Sequence, residues 1–269
     1  GRIQIRSGVA TKGNSGSVSI RSGKSKSSSS GHLFMKTGNS LYESGRLSYV
    51  TGNAVESSAG SLTLGAGHSN LQGGSVKIQA GDSTISTGGR ILLRSGSGKI
   101  GGDVLIQTPT SDSTGNVMMH SGLGRERGSG FITMKTGHSL HSSSGNMFFS
   151  TGKSHSGKAG DIHLHAGDSD LQSGGGVYIS SGSGSSSGNI DILSNLSDEG
   201  NAGHVSISTG AASTGGSGGI LLQVGASKSV SAGDVVLAGG KSQISPGGHI
   251  MFKAGSSSME TGGKIMLKT

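Results

Sequence analysis

Histidine is the residue type in this chain whose spacing could support metal chemistry. His163 and His165 are two residues apart, which turns both imidazoles to one side of an extended segment, and His120 falls on the same predicted face three repeats earlier. Paired imidazoles are ligands for transition metals. Phe148 and Tyr178 take the place of His163 in the flanking repeats, so no third ligand is aligned with the pair. The sequence therefore predicts no metal site.

Motifs of the common enzyme classes are absent. The chain has no GxSxG, no P-loop, no HExxH and no Gly-rich dinucleotide fingerprint between a strand and a helix. Aromatic residues make up 3% of the chain and Trp is missing, which disfavours stacking platforms for sugars or single-stranded nucleic acid. We expect no enzymatic activity and no cofactor. An active site would need loops from outside this segment.

A repeat of about fifteen residues must position every side chain in this protein. Its frame is a Gly, a polar residue, an apolar residue, any residue, a second apolar residue, any residue, a small residue and another Gly, as in Gly74–Gly81. Counted from the residue after the first Gly, nineteen frames give a mean period of about 14.6 residues. They start at Arg2, Ser17, His32, Arg46, Ser61, Ser75, Arg90, Asp103, Asn116, Phe131, Asn146, Asp161, Gly176, Asn189, His204, Gly219, Asp234, His249 and Lys264.

The period-two alternation inside each frame predicts a short strand. The second and fourth frame positions are apolar or aromatic in all nineteen frames, from Ile3 and Ile5 to Ile265 and Leu267. After the seventh-position Gly, a small residue and often an apolar one follow two and four residues on, as Ser83 and Ile85 do, which predicts a second, thinner strand. The predicted fold is therefore all-β: a flattened two-sheet parallel β-solenoid, or β-helix, with about 14–15 residues per coil. We expect residues 1–269 to form one uninterrupted array that is a segment of a longer chain or fibre.

Apolar residues at the third frame position form stripes on the outward face of the predicted wide strands. Solvated strand faces are usually polar, so such stripes favour an interface. The alternative is that they are ordinary surface hydrophobics, which are common singly. The coil ends carry no visible cap and could also pair with neighbours. The predicted interface residues are Leu92, Leu105, Met118, Phe148, Leu221, Val236, Met251 and Met266.

Composition and charge limit the partners. Gly accounts for 54 residues, Pro for two and Cys for none, so disulfides and thiolate metal sites are excluded. A net charge of +8 suits an anionic polysaccharide, although it also serves solubility. No stretch is long and apolar enough to span a membrane, and nucleic acid is not expected as a partner. Asn195-Leu196-Ser197 is an N-glycosylation sequon, which makes Asn195 a candidate modification site.

The recurring Gly-Ser/Asp-Val-x-Ile-x-Ser-Gly and Ser-x-x-x-Thr-Gly-Gly phrases resemble Gly/Ser-rich repeat arrays in large surface and secreted proteins of microalgae such as diatoms, and of some bacteria. This resemblance covers essentially the whole chain and implies an extracellular or cell-surface location with a structural or adhesive role. The function that follows is a protomer or segment of an extracellular filament, which joins itself or other matrix proteins through the apolar stripes and the uncapped coil ends. The alternative is a module that binds ice, mineral or anionic polysaccharide.

Overall fold

The computed structural model describes residues 1–126 and 128–268, and in these ranges there is neither a helix nor a strand. The predicted β-solenoid is therefore wrong, and so are the two parallel sheets on which it depended. The described chain is irregular coil that bends sharply once in each interval between successive frame starts, for example at 84–86, 170–172 and 258–260. The repeat period thus recurs in the backbone as a series of bends and not as a series of strands.

The accessible surface agrees with the lack of a buried core in the described residues. The 26.5-kDa chain exposes 28532 Å² of surface, whereas a compact protein of this mass exposes about 10700 Å² and a fully extended chain about 38000 Å². No side chain of the described residues is buried. Without a buried face, the period-two alternation has no interior to fill, and alternation alone does not make a strand.

Backbone hydrogen bonding is sparse in the described residues. A folded chain of this length has about 270 internal hydrogen bonds, of which about two thirds join backbone groups. The described residues form seven backbone–backbone hydrogen bonds, and each of them joins one Gly to another. They are Gly74 to Gly67, Gly89 to Gly81, Gly102 to Gly96, Gly175 to Gly167, Gly188 to Gly182, Gly248 to Gly240 and Gly263 to Gly255, with the N–H of the first Gly donating to the carbonyl of the second at 2.8–3.1 Å.

The chain divides into two units, Gly1–Thr133 and Met134–Thr269. The first unit contains three of the Gly–Gly bonds, together with Gly13, whose φ of 77° is readily adopted only by Gly. The second unit contains the other four bonds and an exposed ion pair in which the Lys158 Nζ lies 2.8 Å from the Asp161 Oδ2. Such an exposed pair contributes little to stability.

Each Gly–Gly bond closes a loop that takes the place of the predicted thin strand. In the Gly81–Gly89 loop, the Ser83 hydroxyl oxygen accepts the N–H of Ser86 at 3.0 Å. The same Ser-centred turn recurs in other loops, where the N–H comes from two or three residues further on. A backbone N–H that is held by a Ser side chain is not available to a neighbouring strand, which is why these segments turn. The Ser residues that accept in this way are Ser25, Ser40, Ser69, Ser83, Ser139, Ser154, Ser169, Ser197, Ser227, Ser242 and Ser257.

Small residues meet at the neck of each loop. The Gly that ends the loop lies against the sixth frame residue that precedes it, so that a Cβ placed on Gly89 would be 3.2 Å from the Ala80 Cβ and 3.2 Å from the Gly81 nitrogen. At Gly239, which is itself a sixth frame residue, a Cβ would lie 2.5 Å from the Gly248 carbonyl oxygen. Where the approach is this close, it explains the small residue and the Gly at the neck of the loop. At most other loop-ending Gly residues a Cβ would meet ordinary contact distances of 3.4–3.8 Å, and at seventh-position Gly residues such as Gly81 it would meet nothing within 4 Å.

We expect Gly89→Val to open the Gly81–Gly89 loop. The Val side chain would collide with Ala80 and with the backbone of Gly81, and the 2.8 Å bond from the Gly89 N–H would be lost, at a cost of about 1 kcal/mol. NMR would follow the cross-relaxation between the Ala80 methyl group and the amide proton at position 89, which should disappear. Gly81→Val is the matched control because a Cβ there meets nothing within 4 Å. If this cross-relaxation is lost equally in both variants, the close approach at Gly89 does not hold the loop closed.

Candidate association surface

The apolar residues of each frame differ in exposure according to their position. From Val18 onward, the second-position side chains are 42–57% exposed, so each is about half covered. Third-position apolar side chains are more exposed, because neighbouring residues of an extended segment point to opposite sides. In one place the fourth positions of consecutive frames touch, where the Tyr49 hydroxyl donates to the Met35 sulfur at 3.4 Å. The second positions are thus the most covered ones, whereas the fourth positions range from 52% to 96% exposed.

The predicted interface residues all occupy third positions of their frames. We call them the third-position set, and their side chains are 65–84% exposed. Leu92, Leu105 and Met118 belong to the first unit, and the other five belong to the second. The described residues form none of the strands that were to align them into stripes, so the structure retains only their regular spacing along the chain and their exposure to solvent. Whether they form an interface stays a prediction.

The loop tips form a second group of exposed apolar residues. Leu71, Ile85, Leu171, Ile244 and Met259 were predicted to lie in the thin strand opposite the wide one, and that placement is wrong. They are 94–99% exposed because the Ser-centred turn lifts them away from the frame segments. The Ser that most repeats have two residues after the seventh frame position is the signal that would have predicted a turn here.

Histidine and acidic side chains do not assemble into a metal centre. In the part of the chain that the structure describes, no three His, Asp or Glu residues lie close enough together to hold a metal ion. The nearest approach in the His163 segment is between the His165 Nε2 and the Asp168 Oδ1, which are 3.7 Å apart on two exposed side chains. His120 instead faces the Ser121 carbonyl oxygen at 3.4 Å.

Asn195 lies in an exposed segment just before a bend at 198–200. Its Oδ1 accepts the N–H of Leu196 at 2.9 Å, a local contact that holds the start of this loop. Ser197, the third residue of the sequon, accepts the N–H of Gly200 at 3.1 Å. The sequon is therefore part of a turn on the surface, and its modification stays a prediction.

One shallow depression is present, and it is lined by the consecutive residues Arg94, Ser95, Gly96 and Ser97. Because these residues are neighbours in the sequence, the depression brings together no side chains from distant segments. Arg94 supplies its only charged group. It offers no pairing of an acid, a base or a nucleophile from which a reaction could be built.

Within residues 1–126 and 128–268, no helix is long and apolar enough to cross a membrane. No protein-family model matches the chain, and neither a curated protein nor a solved structure shows significant similarity to it.

Proposed function

We propose that the chain is a structural protein of an extracellular or cell-surface filament, which assembles with copies of itself through the third-position set. One observation carries this proposal: in the described residues no apolar side chain is buried, although Val, Ile, Leu, Met and Phe recur at fixed intervals from end to end. Apolar side chains exposed in this number favour association, because each one that contacts another chain leaves water.

Association supplies the burial that the isolated chain lacks. Removing a Leu, Ile, Met or Phe side chain from water is worth about 1.5–3 kcal/mol, and this chain offers such side chains in every repeat. Intermolecular contact is therefore the route by which the periodic apolar residues leave water. The repeat matters because the third-position set recurs in eight of the nineteen frames, so that many weak contacts act together.

The extracellular location rests on the Gly/Ser-rich phrases that resemble surface and secreted repeat arrays. Other matrix proteins with exposed apolar side chains are further partners under the same mechanism. The absence of Cys is compatible with this use, since the proposed assembly needs no disulfide bridge.

A second candidate is a module that binds an anionic polysaccharide, or a mineral or ice surface. The observation that favours the polysaccharide is the excess of 22 Lys and Arg over 14 Asp and Glu, spread along a chain without a buried side chain among the described residues. Binding by dispersed surface cations is screened by salt, whereas apolar association is strengthened by salts such as sulfate.

Sedimentation of the purified chain over about three decades of concentration tests the proposal, with negative-stain electron microscopy of the same samples. We expect the sedimentation coefficient to rise with concentration, the rise to be larger in sulfate, and filaments to be seen. A chain that stays monomeric at every concentration contradicts the proposal. If that monomer also co-sediments with a sulfated polysaccharide at low salt and releases it at high salt, the second candidate is supported instead.

A further inference from the structure

Methionine is the oxidisable residue of this chain, since it has eight Met and no Cys. All eight lie within the described residues and all are at least 42% exposed. A thioether that reaches solvent is open to peroxides, which convert it to a sulfoxide. The methionines are Met35, Met118, Met119, Met134, Met147, Met251, Met259 and Met266.

Three of these methionines belong to the third-position set. Met118, Met251 and Met266 are 71–82% exposed, and no hydrogen bond engages their sulfur atoms among the described residues. Met35 is different, because its sulfur accepts the Tyr49 hydroxyl at 3.4 Å and its side chain is about half covered. The chain therefore holds open thioethers at the association surface and a more protected one at the fourth position.

We propose that Met118, Met251 and Met266 are oxidation sites through which a peroxide reverses the association of the chain. The inference rests on the proposed function. In the reaction, a lone pair of the sulfur attacks the outer oxygen of the peroxide and the O–O bond breaks. An S–O bond forms, and for hydrogen peroxide the other oxygen leaves as water after proton transfer. The sulfur is oxidised by two electrons and the peroxide is reduced by two.

A sulfoxide changes the surface because it replaces an apolar thioether by a strong hydrogen-bond acceptor. Burying this group against Leu221 or Val236 of a second copy would leave its oxygen without a donor, which is unfavourable. Reduction of the sulfoxide back to the thioether restores the apolar side chain. Oxidation at these sites is thus a reversible change in the chemistry of the association surface.

The test compares three chains before and after treatment with hydrogen peroxide. These are the wild type, the variant M118L/M251L/M266L and the matched control M35L/M119L/M134L, which removes three fourth-position methionines. Leu keeps the side-chain volume and cannot be oxidised. Mass spectrometry of the peptides reports sulfoxide at each position, and sedimentation reports the concentration at half-association.

We expect peroxide to raise the concentration at half-association by about tenfold or more in the wild type and in the control, and less than about twofold in M118L/M251L/M266L. Peptide analysis at low concentration should show Met118 and Met251 oxidised sooner than Met35. If the wild-type chain stays associated after these three sites are fully oxidised, the inference is overturned and the proposed function stays in place. The inference is also overturned if M118L/M251L/M266L loses association as the wild type does. Reduced wild type that never associates contradicts the proposed function itself, and the inference with it.

Discussion

Backbone amides of the dilute chain are expected to exchange with deuterium within about tenfold of the rate of an unstructured peptide, in both units. The physical reason is that exchange is slowed by backbone hydrogen bonds that must first open, and the described residues contain almost none outside the Gly–Gly loops. A folded domain of this size protects its central amides by about a thousandfold or more, because they open only with most of the domain. The expected difference in protection is therefore at least about a hundredfold.

Hydrogen–deuterium exchange followed by mass spectrometry measures this at peptide resolution. Peptides that cover the frame segments, such as 75–80 and 249–254, are the informative ones, since these were the predicted strands. Regular slow exchange at these segments in the monomer would contradict the coil described here. Slow exchange that appears only on concentration would instead report order gained on association, so the monomeric state is checked by sedimentation of the same samples.

The triple substitution L221S/V236S/M251S is expected to raise the concentration at half-association by about a hundredfold or more. These three residues are the third positions of consecutive frames, and each is 80–82% exposed in the isolated chain. If each side chain gains only about 1 kcal/mol on association, which is less than full burial provides, their combined loss already approaches 3 kcal/mol. A change of about 2.7 kcal/mol corresponds to a hundredfold change in affinity.

The matched control for this variant is L171S/I244S/M259S, which removes similar apolar surface from the loop tips of the same unit. The proposal expects a much smaller effect there, because the tips do not belong to the third-position set. Equal weakening by both variants would mean that the chain associates through apolar surface of any kind, and would contradict a specific role for the third positions. Sedimentation of all three proteins over the same concentration range gives the comparison.

The regular spacing of the candidate residues could be predicted from the sequence, whereas their use as an interface stays a prediction. The period and the frame placed Leu221, Val236 and Met251 at equivalent positions, and they are similarly exposed. The role of the loop residues could not be predicted in the same way. The spacing of Ser83 and Ile85 is compatible both with a strand and with a turn. Only the hydrogen bond from the Ser86 N–H to the Ser83 hydroxyl distinguishes the two.

The sequence by itself determined the repeat, the positions of the apolar side chains, the excess of positive charge and the absence of Cys. These are properties of residue order and do not depend on how the chain folds. The tertiary structure decided that, in the described residues, the alternating segments form no sheet, that seven of the segments between frames are loops closed between pairs of Gly, and that no side chain is buried. The physical reason is that a strand exists only where a neighbour accepts its backbone hydrogen bonds and covers one of its faces, and alternation provides neither.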